Sequence, residues 1–370
     1  MTDLEPDVPT ASLVHRDLVA GRYLTARARL LAAGEERLVD LWNVWFWTLN
    51  AIDPWHEGWP VQAGEPQAPA ATLAAAEPDG LVVAAELAAE AVRHGRVVVL
   101  MERHALPETR WAGVRLLPAL RRAGATHLAF EAWLQEPLDR ARRERVVRAE
   151  TAPYAYDPSR AALLRTAIAL GLELVAFDHP TDAGQPIDSN AARERWMAEN
   201  VRRLAERPGA RVVVWTGGQH AWKRVPSHFE VPLFASWAGD RTMAELLDDP
   251  FCVGQAVLQE PPPGDPGIVL ADHPWAAGHG LDAVLVHARG GTPRRPSWID
   301  EGRRPVAFPA AGARLVQAFP EAEGLEAVPA DQALARGGGV TLTLPPGRYR
   351  CRGVDDADWP IWQRSLQLRP

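Results

Sequence analysis

The apolar positions of the chain change their period near residue 80. Before that point Leu13, Leu18, Tyr23, Ala26 and Leu30-Leu31 recur at helical spacing with Gly21 as a break, so residues 11–52 read as helices. Beyond it, short apolar runs alternate with helical stretches. The helix Ala84–Arg93 leads into the run Val97-Val98-Val99-Leu100-Met101, and Pro107–Arg122 suits a helix with its proline in the first turn. A strand at 126–130, a helix over Ser159–Leu170 and a strand over Leu172–Phe177 follow. Ser189 or Asn190 then caps a helix that ends near Glu206, and Arg211–Trp215 reads as the next strand. Val231–Trp237 and Leu281–Val286 read as further strands, the second at the margin of the sheet. This alternation predicts an α/β fold, a mostly parallel sheet flanked by helices.

The tail has a different pattern. Residues 289–312 are rich in Gly, Pro and Arg and read as irregular. Leu315–Phe319, Val340–Leu344, Tyr349–Val354 and Trp362–Leu368 are strand-length apolar segments, with Pro345-Pro346-Gly347 as a turn between two of them. These predict a small C-terminal antiparallel β appendage. The chain thus divides into an N-terminal helical segment (1–59), a Pro/Ala/Gly-rich linker or loop (60–79), an α/β core (80–300) and the appendage (301–370). The tryptophans of the first segment, Trp42, Trp45, Trp47, Trp55 and Trp59, read as packing, with one wall of a substrate cleft as the alternative.

Composition narrows the partners. The 370 residues are 47% hydrophobic, enough for a sizeable core. A net charge of −7 without a basic stripe argues against nucleic acid or an anionic membrane as the main partner. Cys252 and Cys351 alone cannot build a disulfide framework or a cysteine zinc site. An acidic N-terminus without a signal-type apolar run, and no stretch near the ~20 apolar residues of a membrane span, lead us to expect a soluble, cytoplasmic protein.

The candidate chemistry sits where the apolar runs stop. Glu102 and His104 follow the first, Glu131 the second, Asp178 and His179 the third, and His220 the fourth. In open α/β sheets ligands bind beyond the carboxyl ends of the strands, so parallel strands would gather these tips at one edge. Such a set suits either a divalent metal or metal-free general acid–base work. Gly217 and Gly218 allow a sharp turn before His220, or a backbone approach to a ligand. The G-x-G-x-x-G, Walker, G-x-S-x-G and H-E-x-x-H patterns are absent. Arg193 and Asn200, seven apart, share one face of their helix, with Glu194 and Glu199 farther from it. Lys223, the single lysine, would lie one turn beyond His220, as a cation near the site or on the surface. His273 and His279 precede the last core strand, and Tyr154 and Tyr156 lie in a Pro-containing loop.

Four of these elements carry a resemblance. Leu100-Met-Glu-Arg-His-Ala-Leu-Pro-Glu-Thr-Arg110 resembles the "GExH…R" element of the erythromycin esterase/ChaN-like superfamily, which takes in the TraB/Tiki proteins. Leu128–Glu131 is similar to its second strand, Ala192–Asn200 to its "RE..MAEN" helix, and Val212–Ala221 to the strand bearing its second G-x-x-H. They come in family order over about 80–240, and Met101 stands where the family has glycine, which implies a narrower turn at the first motif. The resemblance implies Glu102, His104, Glu131 and His220 as the core set, with Arg110 placed to neutralise an oxyanion or a substrate carboxylate, or to pair with Glu108 or Glu131. It also implies a choice of activities: a metal-free esterase, a metal-dependent protease using the two histidines and the glutamate, with a metal possible through Glu102, His104, Glu131 and His220, or a haem-binding protein, for which Tyr154 and Tyr156 are the candidate ligands. We therefore expect a hydrolase of an ester or amide bond, acting on a small-molecule or peptide substrate, by His/Glu water activation that is metal-free or divalent-metal-assisted. Arg110, Arg193, Asn200, Lys223, Gly217 and Gly218 are the candidate substrate-binding residues. The alternatives are a haem or other small-molecule binder on the same scaffold, and a catalytically dead partner-binding homologue.

Overall fold

The structure is a computed structural model that describes residues 10–33, 48, 51–52, 75–104, 106–179, 189–225, 241–258, 265–288, 295–335 and 338–369. The tryptophans at 42, 45, 47, 55 and 59, residues 60–74 of the 60–79 segment and the expected strand 231–237 lie outside the described residues. The chain forms two compact units. One comprises Met1–Pro54, Glu144–Leu164 and Asp300–Pro370; the other comprises Trp55–Arg143 and Arg165–Ile299. Helices α1 (Thr10–Val19) and α2 (Tyr23–Ala32) open the first unit.

In the second unit α3 (Gly80–Arg93) precedes β1 (Val98–Glu102), α4 (Pro107–Arg122) and β2 (His127–Phe130). After α5 (Gln135–Glu144) and α6 (Pro158–Ala169), which begins in the first unit and ends in the second, come β3 (Glu173–Ala176), α7 (Asn190–Ala205) and β4 (Val212–Gly217). The unit is completed by α8 (Met243–Leu246), β5 (Phe251–Leu258), β6 (Gly267–Leu270), α9 (Pro274–His279) and β7 (Ala283–Ala288). Its seven-stranded sheet has the order β3-β2-β4-β1-β5-β7-β6. Every pairing in it is parallel except that of β6 with β7. The expectation of a mostly parallel sheet flanked by helices holds, with changes: β5 and β6 form where the sequence pattern predicts no strand, β7 lies inside, and the antiparallel β6 forms the margin.

The apolar runs explain the layers. All five residues of β1 are buried. Burying each Val or Leu of such a strand contributes about 1.5–3 kcal/mol. Val99 and Met101 pack with Val212 and Val214 of β4 and with Met197, Val201 and Leu204 of α7. Met101 is therefore an ordinary core residue inside the strand, paired with Thr216, and the expected narrowed turn does not occur there. Ser189 does cap α7, its hydroxyl accepting from the Ala192 amide at 3.2 Å. Among the described residues no helix is long and apolar enough to cross a membrane.

In the first unit, β8 (Arg304–Pro309), β9 (Leu315–Pro320), β10 (Asp331–Leu334), β11 (Gly339–Leu344), β12 (Gly347–Val354) and β13 (Pro360–Leu368) make antiparallel sheets, β10-β9-β12-β13 and β11-β8. β8 forms within the stretch read as irregular, because all six of its residues pair with β11. Asp358 accepts from the Leu24 and Thr25 amides at 3.0 and 2.9 Å, tying the β12–β13 turn to the start of α2. Tyr156 is fully buried in the core of Val14, Leu18, Leu30, Leu315 and Val354.

Candidate active site

The carboxyl ends of β1, β2, β3 and β4 lie side by side, so the sheet order brings the expected tips together. Glu102 ends β1 with no exposure. Its Oε1 accepts from His104 Nδ1 at 2.6 Å, and its Oε2 accepts from the Trp215 indole at 2.5 Å. The carboxylate assigns a proton to Nδ1 and leaves Nε2 as the basic nitrogen of the neutral ring. Arg110, on the first turn of α4, donates to the His104 carbonyl at 3.0 Å and stands 3.7 Å from Glu102. It thus braces the first dyad.

The ring of His104 lies over Gly217. A β-carbon there would sit 2.3 Å from His104 Nε2 and 2.4 Å from Cε1. Gly217 has ordinary extended angles (φ −76, ψ 149), so the glycine is required by this close approach and not by backbone conformation. Gly218 takes the left-handed conformation (φ 38) and starts the short 3-10 turn that carries His220.

Glu131, one residue past β2, is the centre of the cluster. Its Oε2 accepts from the Gly217 amide at 2.7 Å and from the Thr216 hydroxyl at 3.2 Å. Its Oε1 accepts from Arg193 at 3.0 Å and stands 4.0 Å from His220 Nε2. Arg193 in turn grips Asp178 through two bonds of 2.9 and 2.6 Å. Burial pushes the Glu131 carboxyl up, but His220, His104, Arg193 and the Gly217 amide outweigh it and hold it at about 2. Burial pulls the Arg193 guanidinium down, and Asp178 and Glu131 more than restore it, so its pKa is raised.

A second dyad lies beside Glu131. His220 Nδ1 bonds Glu194 Oε1 at 2.5 Å, and Glu194 Oε2 accepts from the Met243 amide at 2.5 Å. Burial disfavours the imidazolium, yet Glu194 and then Glu131 raise the pKa of His220 above its ordinary value. Glu194 was expected to lie away from the functional face of α7; instead it has no exposure. It shares the stripe of Met197, Val201 and Leu204, and a carboxylate on such a stripe needs a partner.

Other expected residues do different work. Asn200 donates to the Phe177 and His179 carbonyls at 2.9 and 2.8 Å and fastens α7 to the end of β3. Lys223 bonds Asp282 at 2.7 Å and the Pro250 carbonyl at 3.1 Å, just before β7 and β5, so its charge is held there. His273 accepts from the Trp275 amide, and His279 packs between Trp222 and Trp275 with ring centroids at 4.7 and 4.4 Å. Neither joins the cluster. Two residues not singled out in the sequence, Gln255 on β5 and His287 on β7, are buried and bonded at 2.8 Å. Gln255 donates to the Met101 and Thr109 carbonyls, so its oxygen faces His287, whose pKa burial, with Arg103, pushes down to about 3. They support β1 and α4 from behind.

The set Glu102, His104, Glu131 and His220 does not fit a divalent metal. Both oxygens of Glu131 are committed to Arg193, Thr216 and Gly217, and among the described residues no group of three His, Cys, Asp or Glu is arranged to hold an ion. Haem ligation by Tyr156 fits no better, since the side chain is enclosed by core and its phenol pKa is pushed well up by burial.

The linkage of Glu131 gives a stability test. Its folded pKa of about 2 is below the ordinary 4.5, so its charge stabilises the fold above about pH 4.5, and this contribution is lost as pH falls through about 2. Glu131→Gln is expected to be less stable than wild type at pH 7, with the gap closing as pH approaches 2. Urea unfolding across that range checks it, and a gap that stays constant contradicts the assignment.

Fold and site together define an α/β protein with a buried carboxylate between two carboxylate–histidine dyads at the carboxyl edge of its sheet. No known protein family and no curated protein matches the chain. Solved structures that are distantly similar include the following three. The type III effector HopBA1 shares 14% identity over 61% of this chain and 98% of its own, at a TM-score of 0.36. The C-terminal region of Pasteurella multocida toxin, described with a thiol-protease-like catalytic triad, shares 13% over 40% of this chain and 22% of its own, at 0.29. RRSP, a MARTX toxin effector domain from Vibrio vulnificus, shares 19% over 34% of this chain and 28% of its own, at 0.27. Likeness of this size does not define an activity.

Proposed function

We propose that the protein is a hydrolase of ester or amide bonds, of the erythromycin esterase/ChaN-like kind, working without a metal. The observation that carries this reading is the pair of dyads around Glu131, one with its histidine partly open to solvent and one with its histidine buried and raised in pKa. A histidine whose surroundings favour its imidazolium suits the acid, which leaves the base to the other dyad.

His104 is the base. Its Nε2 takes a proton from water as the water oxygen adds to the carbonyl carbon, while Glu102 stabilises the imidazolium that forms. His220 begins as imidazolium and gives its proton to the leaving oxygen or nitrogen as that bond breaks. Exchange with solvent then returns both rings to their starting states. Glu131 supports the charge on both histidines, and Arg193 fixes its orientation.

The test is turnover of a panel of simple esters and amides by the purified chain across pH. Hydrolysis with a bell-shaped profile is expected. In Glu194→Gln the alkaline limb should move to lower pH, because the carboxylate that raises the His220 pKa is gone. No turnover on any ester or amide, or an alkaline limb that does not move, overturns the proposal.

A further inference from the structure

Trp133 and Leu134 lie two and three residues after Glu131, in the turn between β2 and α5, and they are 64% and 68% exposed. An indole in water beside a candidate active site is an unused apolar surface. It is also held in place: Trp133 Nε1 donates to Asp178 Oδ2 at 3.0 Å. Asp178 is buried and grips Arg193, which bonds Glu131. The ring is therefore anchored by its polar edge to the network that orients Glu131, and its apolar surface remains in solvent.

Charge says what that surface suits. The described site holds the carboxylates Glu102, Glu131, Asp178 and Glu194 against the guanidiniums Arg110 and Arg193 and at most one further positive charge, on His220. Negative charge is in excess, so a second anion is repelled and a cation is favoured. The face of tryptophan is the best aromatic surface for a cation.

Resting on the hydrolase reading, we propose that Trp133, flanked by Leu134, is the subsite for an apolar ammonium group carried by the substrate. The ammonium lies on the indole face, its apolar substituents cover Leu134, and the scissile carbonyl extends toward His104. Trp133 sets specificity in this scheme and takes no part in bond breaking.

The probe is benzyltrimethylammonium, with benzoate as its anionic counterpart, each titrated into the full chain and followed by ligand-observed NMR. The ammonium should bind at least about tenfold more tightly than benzoate, and Trp133→Ala should weaken it about tenfold or more. Trp133→Phe keeps an aromatic face without the bond to Asp178 and should retain most of the affinity. Circular dichroism of both variants should match wild type, as suits an exposed side chain. Equal ammonium affinity in wild type and Trp133→Ala, benzoate binding as tight as the ammonium, or no binding of the ammonium overturns the subsite. The two readings fail separately. Ammonium binding lost in Trp133→Ala without turnover of any ester or amide supports the subsite and removes the hydrolase. Turnover without ammonium binding removes the subsite alone.

Discussion

His104→Ala is expected to lower kcat for ester hydrolysis by about 10²–10⁴-fold, the usual contribution of a positioned general base. The base is the one group whose work neither the other dyad nor Arg193 can take over, because Glu194 and Glu131 raise the pKa of His220 and so favour the acid form over the base form. The side chain is 34% exposed, so its loss opens no core cavity. It does remove one donor from Glu102, which is buried and keeps the Trp215 indole at 2.5 Å and Arg110 at 3.7 Å. His104→Gln restores a donor at that position without a base, and should be as inactive as the alanine variant while recovering stability. Unimpaired turnover in both variants, measured beside urea unfolding, rules out His104 as the base.

The second large effect is expected from a single methyl group. Gly217→Ala places a β-carbon 2.3 Å from His104 Nε2, well inside contact distance. The neighbouring element is β4, paired with β1 through Glu102 and Gly217 themselves, so the backbone has little room to yield. The imidazole must swing away and lose its 2.6 Å bond to Glu102. Misplacing a catalytic group by about an ångström costs roughly 10²-fold in rate, and that is the loss expected in kcat. Overpacking should also cost about 1–3 kcal/mol of stability. The two substitutions share one mechanism, so Gly217→Ala should cause little further loss in the His104→Ala background. Full activity in Gly217→Ala, or additive losses in the double variant, contradicts this geometry.

Much of the sheet was legible because its signals are local. Apolar runs of strand length, a proline in the first turn of α4 and a serine before α7 are read from neighbouring residues. β10 carries no such signal: Asp331-Gln332-Ala333-Leu334 is short and half polar, and it becomes a strand by pairing with β9. β8 likewise has little apolar pattern and exists through β11. Lys223 shows the limit of proximity in sequence. It stands three residues after His220, yet Asp282 holds it at the start of β7.

The sequence by itself determined which residues stand at the strand ends: Glu102, His104, Glu131, Asp178 and His220. A strand is announced by its own apolar run, and its last residue is named by where that run stops. Only the tertiary structure decided how those residues are joined. Glu194 to His220, Trp215 to Glu102 and Arg193 to Glu131 are bonds between residues 26, 113 and 62 positions apart. They depend on strand order and on the register of β1 against β4, which no local pattern encodes. The same register brings Gly217 beneath the ring of His104, and so decides why a glycine must stand there.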